Sequence, residues 1–172
     1  MFKVEHHILI DESPKVVWAF LANLPVSLTC HRPRRCFQWM GNPKPAPGNR
    51  YLIELSMLGI TFRQEGRITF WEPPCQVALA QWNPRHPHRG FIHQRRLSVH
   101  PVDGQPHAAM LRLTVVGNLW SRLVEIVFKE IVRRGVLDHL LALKRAIEST
   151  DKSSRPERAT TRRLAEMPVL GG

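Results

Sequence analysis

The first residues of the chain alternate between two faces, as a half-buried β-strand does. One face of the stretch 2–10 carries Phe2, Val4, His6, Ile8 and Ile10. The pattern then changes, because Ser13 occupies a helix N-cap position and Pro14 suits the first helical residue. Apolar residues follow at helical spacing at Val16, Val17, Phe20, Leu21 and Leu24. These positions predict a strand and a short helix, which ends at Pro25 or leads into a second short helix reaching about His31.

Strand-like segments make up the middle of the chain. They are RCFQWMG, RYLIELSML, ITFRQEGRITFW, QVALAQW, FIHQRRLSVH and HAAMLRLTVVG, separated by turn-rich sequences such as NPKPAPGN, EPPC and PVDGQP. In the third segment we assign Ile60, Phe62, Ile68 and Phe70 to one face. Short strands at close, even spacing predict an antiparallel meander rather than alternating strand–helix units.

The last part of the chain has a helical period. From Asn118 to about Ser149 the apolar positions predict one long helix, which Gly135 could bend or interrupt. We divide the chain into a domain of residues 1–150 and a flexible basic tail of residues 151–172. The order of elements predicts an α+β fold in which a curved antiparallel sheet of about seven strands wraps on the long helix. The space between sheet and helix then holds either side chains or a ligand.

This order resembles the SRPBCC superfamily, which has the helix-grip fold of START domains and of polyketide cyclase/dehydrase and lipid-transport proteins. The resemblance covers residues 2 to about 149 and is clearest in ESPKVVWAFLAN, after the first strand, and in the closing LDHLLALKRAIES. It implies a hydrophobic cavity between the sheet and the C-terminal helix, with the short helices as support. On this basis we expect Trp18 to pack in the core. The resemblance supplies no catalytic residues, because the chemistry of its members differs.

The strand FIHQRRLSVH raises the main question about polar chemistry. His93 and Arg95 share a face with Phe91, Leu97 and Val99. If that face points inward, a guanidinium enters the cavity and needs a partner, because an unpaired buried charge is costly. A carboxylate or phenolate of a ligand could be that partner, and so could an internal acid such as Glu125. The alternative is a bulge that turns both polar side chains to solvent.

Further candidate lining residues come from the neighbouring elements. Tyr51, the only tyrosine, alternates with apolar residues, and Gln64 lies between Phe62 and Ile68 on an otherwise apolar face. We expect the long helix to present its apolar stripe to the sheet, where it lines or fills the space. The predicted ligand-binding residues are Tyr51, Phe62, Gln64, His93, Arg95, Leu113, Leu123, Val127 and Ile131.

Other histidines and the cysteines indicate no cofactor or metal. His6 suits a hydrogen-bonded core residue better than a catalyst. The pair His86 and His88 has no third ligand at zinc spacing. The three cysteines form no CxxC pair, and we expect free thiols. The sequence also lacks GxSxG, GxxxxGK and GxGxxG, so we predict neither a cofactor nor a metal.

Charge and hydropathy limit the remaining possibilities. The net charge is +11, of which +9 belongs to residues 1–150, so the folded body is basic. Such a field favours anions, but arginine bias explains much of it and we expect no specific nucleic-acid role. The basic residues Arg133, Arg134, Lys144 and Arg145 of the long helix form a solvated face or attract a membrane surface. No apolar run could span a bilayer and no signal peptide is evident, so we expect a cytoplasmic protein.

Three functions follow from these observations. The first is binding of a hydrophobic or amphipathic small molecule between sheet and helix. The second is a cyclase- or dehydratase-type enzyme acting on a polyketide-like or aromatic substrate, with His93 and Arg95 as the candidate catalytic pair. The third is a noncatalytic interaction protein that uses its basic surface. The sequence leaves the ligand and the oligomeric state open.

Overall fold

The computed structural model describes residues 1–30, 36–57, 60–84, 92–118 and 122–154. In chain order its elements are β1 (Phe2–Ile10), α1 (Pro14–Ala22), α2 (Leu24–Thr29), β2 (Cys36–Met40), β3 (Arg50–Met57), β4 (Ile60–Glu72), β5 (Gln76–Trp82), β6 (Ile92–Val102), β7 (Gln105–Asn118) and α3 (Arg122–Ser154). The predicted α+β order is confirmed. Helix α1 follows Ser13 and has Pro14 as its first residue, as the N-cap pattern predicts.

All strands join one antiparallel sheet in the order β1-β7-β6-β5-β4-β3-β2. Strands β2 to β7 form a meander, in which each strand pairs with the next along the chain. Strand β1 returns to pair with β7, from Phe2 opposite Gly117 to Ile10 opposite Ala109. The first and last strands are therefore neighbours, and α3, which follows β7, lies beside β1.

A bulge in β4 corrects the predicted face of one residue. The pairing of β4 with β5 shifts between Ile68 and Phe70, so one extra residue intervenes. Phe70 is therefore 42% exposed instead of sharing the buried face of Ile68. Trp71 packs against the core in its place, and its ring lies 5.3 Å from that of Trp18. Trp18 is buried and belongs to the core, as we expected.

Helix α3 packs against β1, β7 and α1. Its buried apolar residues recur at helical spacing and are Val136, Leu140, Leu143 and Ile147. The helix continues to Ser154, past the predicted end near Ser149 and into the segment assigned to the tail. No proline lies between the start of α3 and Pro156, so the sequence contains no earlier stop for the helix. No helix in the described part of the chain has the length and apolarity needed to cross a bilayer.

Candidate functional site

A row of directly paired residues crosses the inner face of the sheet, the face that carries the core. Tyr51 of β3 lies opposite Gly66 of β4, which lies opposite Gln81 of β5. Gln81 in turn lies opposite His93 of β6. Residues directly opposite each other point to the same face. The sheet therefore collects three polar side chains from three strands in one line.

The three side chains are hydrogen-bonded to one another. Gln81 Nε2 donates to Tyr51 Oη over 2.9 Å, and Gln81 Oε1 lies 2.7 Å from His93 Nε2. Tyr51, Gln81 and His93 are all buried, none more than 3% exposed. Burying polar groups is tolerated where they find partners, and each of these three side chains has at least one partner in the row.

Gly66 allows Tyr51 to reach Gln81. The tyrosine ring lies over β4, in the space that a side chain at position 66 would occupy. A Cβ atom built on Gly66 would come to 2.5 Å from Tyr51 Oη, closer than real Cβ atoms approach other atoms. A glycine in a strand often marks such a close approach. The hydrogen bond between β3 and β5 therefore depends on the missing side chain in β4.

Arg95 extends this row along β6. It lies two residues after His93, on the same face of the strand, and its Nε is 3.2 Å from His93 Nε2. The side chain is half-buried. We call Tyr51, Gln81, His93 and Arg95 the inner polar row. The inward register of His93 and Arg95, which the sequence left open against an outward bulge, is the one that the structure adopts.

Burial determines the protonation of the row. Loss of hydration lowers the pKa of His93 well below its ordinary value, and the positive charge of Arg95 lowers it further, so the imidazole is neutral near pH 7. Burial also raises the pKa of Tyr51, which keeps its hydroxyl protonated. Burial lowers the pKa of Arg95, and the nearby Tyr51 opposes that shift. A guanidinium nevertheless stays charged in proteins, so Arg95 is the one cation of the row.

Aromatic rings continue the inner face toward the edge strand β2. The ring of Phe37 stacks on that of Tyr51 with centroids 5.1 Å apart, and Trp39 meets Phe37 edge-on at 5.0 Å. Both Phe37 and Trp39 are half-buried, so parts of their rings are exposed. The inner polar row is thus bordered by an aromatic surface on one side.

The predicted lining residues fall into three groups. Tyr51, His93 and Leu113 are buried on the inner face, and Gln64 is half-buried beside them, opposite Ile53. Ile131 is 59% exposed, because α3 turns Val132 and Val136 toward the core instead. The side chains of Phe62, Leu123 and Val127, and that of Glu125, lie outside the described part of the chain.

Sequence reasoning missed Gln81 and Gly66. Gln81 lies two residues after Leu79 and four after Val77, so its place on the buried face of QVALAQW was visible in the alternation. The sequence did not show that Gln81 joins Tyr51 to His93, because that depends on the pairing of β5 with β4 and β6. Gly66 shares the face of Gln64 and Ile68, but it has no side chain and the alternation alone gave it no role.

Two surface cavities of the described residues bear on the search for a ligand site. One, of about 590 Å³, lies between Cys30 and the C-terminal half of α3, where Asp138, Leu141 and Arg145 line it. The other, of about 630 Å³, lies on the outer face of the sheet, where Arg95, Arg96 and Arg112 are among the residues that border it. Neither is the predicted space between sheet and α3. The side chains of residues 122–128 of α3 lie outside the described part of the chain.

The remaining sequence predictions concern metal ligands and thiols. Within the described ranges, no three His, Cys, Asp or Glu side chains lie close enough to hold a metal ion. His86 and His88 lie outside those ranges. Cys36 and Cys75 are exposed and Cys30 is half-buried, and none of these three described residues is in a disulfide.

Comparison with known proteins identifies the architecture. No protein-family model matches the sequence, and a search of curated proteins gives no match. Solved structures do match. Norcoclaurine synthase from Thalictrum flavum, solved in complex with dopamine and hydroxybenzaldehyde, superposes with a TM-score of 0.66 at 12% identity, over 86% of this chain and 87% of that one. The chain has the helix-grip fold.

Two other solved structures superpose with comparable scores. The Zhui aromatase/cyclase from Streptomyces sp. R1128 matches with a TM-score of 0.67 at 14% identity, over 86% of this chain and 93% of its own. A protein from Thermus thermophilus matches with a TM-score of 0.64 at 13% identity, over 87% of this chain and 99% of its own. At these identities the likeness establishes the fold and leaves the function to the residues of this chain.

Proposed function

We propose that this helix-grip protein binds an amphipathic small molecule against the inner face of its sheet. The observation that supports this proposal is the inner polar row, which runs through an otherwise apolar and aromatic surface and ends at a half-buried cation. A well-packed core that held no ligand would gain more stability from apolar residues at these positions. Ligand pockets, in contrast, typically combine an apolar lining with a few fixed polar groups.

The expected affinity is moderate. Burying about 300 Å² of ligand apolar surface at roughly 25 cal/mol/Å² gives about 7 kcal/mol. Loss of translational and rotational freedom on association opposes much of this gain. We therefore expect dissociation constants in the micromolar range for a ligand of suitable shape.

Native mass spectrometry and calorimetry test the proposal. The purified chain is titrated with panels of lipids, isoprenoids and polyphenols, each to saturation. We expect a one-to-one complex with at least one class of apolar or amphipathic compound, and weaker binding by Gln81→Leu, which interrupts the inner polar row. The absence of any bound species across the panels would contradict the proposal.

A cyclase- or dehydratase-type activity is the second candidate. The neutral imidazole of His93 beside the cation of Arg95 favours it, since a neutral base can accept a proton while a cation stabilises the enolate that forms. The Zhui aromatase/cyclase, which has the same fold, adds support. On a polyketide-like or aromatic substrate, His93→Ala should abolish turnover with the fold intact, whereas His100→Ala, at an exposed position of the same strand, should not. Equal loss in both variants, or in neither, would exclude this role for His93.

A further inference from the structure

The hydrogen-bond donors of Arg95 cannot all be satisfied by the inner polar row. His93 Nε2 lies 2.7 Å from Gln81 Oε1, which only accepts, and 3.2 Å from Arg95 Nε, which only donates. One nitrogen of a neutral imidazole either carries a hydrogen or accepts one. Gln81 Nε2 donates to Tyr51, so its Oε1 faces His93 and the shorter contact places the hydrogen on His93 Nε2. In that tautomer Arg95 Nε–H finds no acceptor in His93, and in the other tautomer it is the only one of the five guanidinium N–H groups that does.

No carboxylate in the described part of the chain forms an ion pair with Arg95. The buried Glu65 points to the opposite face of the sheet and pairs with Arg50. Glu54 pairs with Arg63, also on that face. Arg95 thus presents a positive charge and unused donors to the interior, next to an apolar surface. This combination suits a singly charged anion on an apolar body.

We propose that the ligand is an organic acid whose anionic group binds the Arg95 guanidinium while its apolar body lies on the inner face of the sheet. This inference rests on the proposed binding function and specifies the class of ligand: carboxylates, phenolates or sulfonates attached to an aromatic or aliphatic body. Tyr51, Gln81 and His93 are positioning residues, because their hydrogen bonds hold His93 in the form that leaves Arg95 available.

A matched pair of fluorescent probes tests this assignment. 8-Anilino-1-naphthalenesulfonate is an anion, and N-phenyl-1-naphthylamine is the same aromatic body without the sulfonate. Both fluoresce more strongly in an apolar site. For the full chain we expect the anion to bind about tenfold more tightly than the neutral probe or better, as a hydrogen bond to a charged group provides.

Two arginine variants of equal net charge locate the effect. Arg95→Gln should weaken binding of the anion about tenfold and change that of the neutral probe less than about twofold. Arg96→Gln removes the same charge from the next residue, which is exposed on the outer face and lines the outer cavity, and it should leave both affinities unchanged. Circular dichroism checks that both variants keep the fold.

The other results would overturn the inference. If both probes bind equally and Arg95→Gln affects neither, the inner face binds apolar molecules without charge recognition, and only the ligand class is wrong. If Glu125→Gln strengthens binding of the anion, an internal acid already neutralises Arg95. A larger loss in Arg96→Gln would place the anion on the outer face. If neither probe binds and the panels also fail, the proposed function falls together with the ligand class.

Discussion

At the scale of single residues, the site depends on one glycine and one glutamine in neighbouring strands. Gly66 leaves room for the ring of Tyr51, and Gln81 joins Tyr51 to His93. The alternation of FIHQRRLSVH put His93 and Arg95 on one face with apolar residues, because period-two patterning reports the face of each residue, and it left open whether a bulge turns them to solvent. The partners of His93 could not be predicted in that way, since they come from strands whose register the local pattern does not fix.

Substituting Gly66 with alanine should destabilise the protein. The added Cβ would force Tyr51 out of place and break its bond to Gln81, and overpacking of this kind typically costs about 1–3 kcal/mol. Gly135→Ala is the matched control, because nothing lies within 4 Å of its added Cβ in α3. That change should stabilise the helix by up to about 1 kcal/mol. Urea denaturation measures both variants, and equal effects would contradict the role of Gly66.

His93 should make stability depend on acidity. The unfolded chain takes up a proton at His93 near its ordinary pKa of 6.5, whereas burial keeps the folded form neutral to much lower pH. The contribution of His93 to the free energy of unfolding is therefore fully present above about pH 6.5. Below that pH the free energy of unfolding falls, by up to about 1.4 kcal/mol per pH unit. In His93→Gln this part of the slope should vanish. Unfolding free energies at pH 5.0–7.5 provide the test, and parallel profiles for the two proteins would refute it.

At the scale of elements, the C-terminal half of α3 is fixed to the end of β1. Lys144 Nζ donates to the carbonyl oxygen of Leu9 and to Glu148 Oε1, each over 2.7 Å. The backbone N–H of Asp11 donates to the same Glu148 oxygen over 3.2 Å. The sequence placed Lys144 on a solvated or membrane-facing surface, because helical periodicity does not show which strand end a lysine meets.

Lys144→Met should loosen this junction. We expect a loss of about 1 kcal/mol in stability, the usual contribution of one hydrogen bond, and faster hydrogen exchange at the Asp11 amide. Lys129→Met makes the same substitution at an exposed position of α3 and should change neither. Unchanged exchange at Asp11 in Lys144→Met would show that these contacts do not hold the two elements together.

The same scale shows where element prediction succeeds and fails. The number and order of strands followed from hydrophobic alternation and turn residues. The bulge between Ile68 and Phe70 could not be predicted in this way, because only the pairing with β5 reveals the extra residue. The prediction that Ile131 faces the sheet was also wrong, since a long helix packs only part of its apolar stripe on the sheet.

At the scale of the whole molecule, the fold separates two positively charged environments. The Arg95 side chain contacts His93 on the inner face, and residue 95 also borders the outer cavity, which Arg96 and Arg112 line from the outer face of the sheet. The net charge of +11 attracts anions to the whole surface, and this attraction is screened by salt. Binding at the inner face should depend less on salt because the site is largely dehydrated. An interaction protein that uses its basic surface would show the opposite behaviour.

Two-dimensional ¹H–¹⁵N NMR of the full chain with a saturating anionic ligand tests the central claim most directly. The Nε–H signal of Arg95 and the side-chain amide signal of Gln81 report on the inner polar row, and the Nε–H signals of Arg96 and Arg112 report on the outer face. We predict that the largest shifts occur at Arg95 and Gln81, with little change at Arg96 and Arg112. Shifts confined to the outer arginines would contradict the claim that the inner face of the sheet is the binding site.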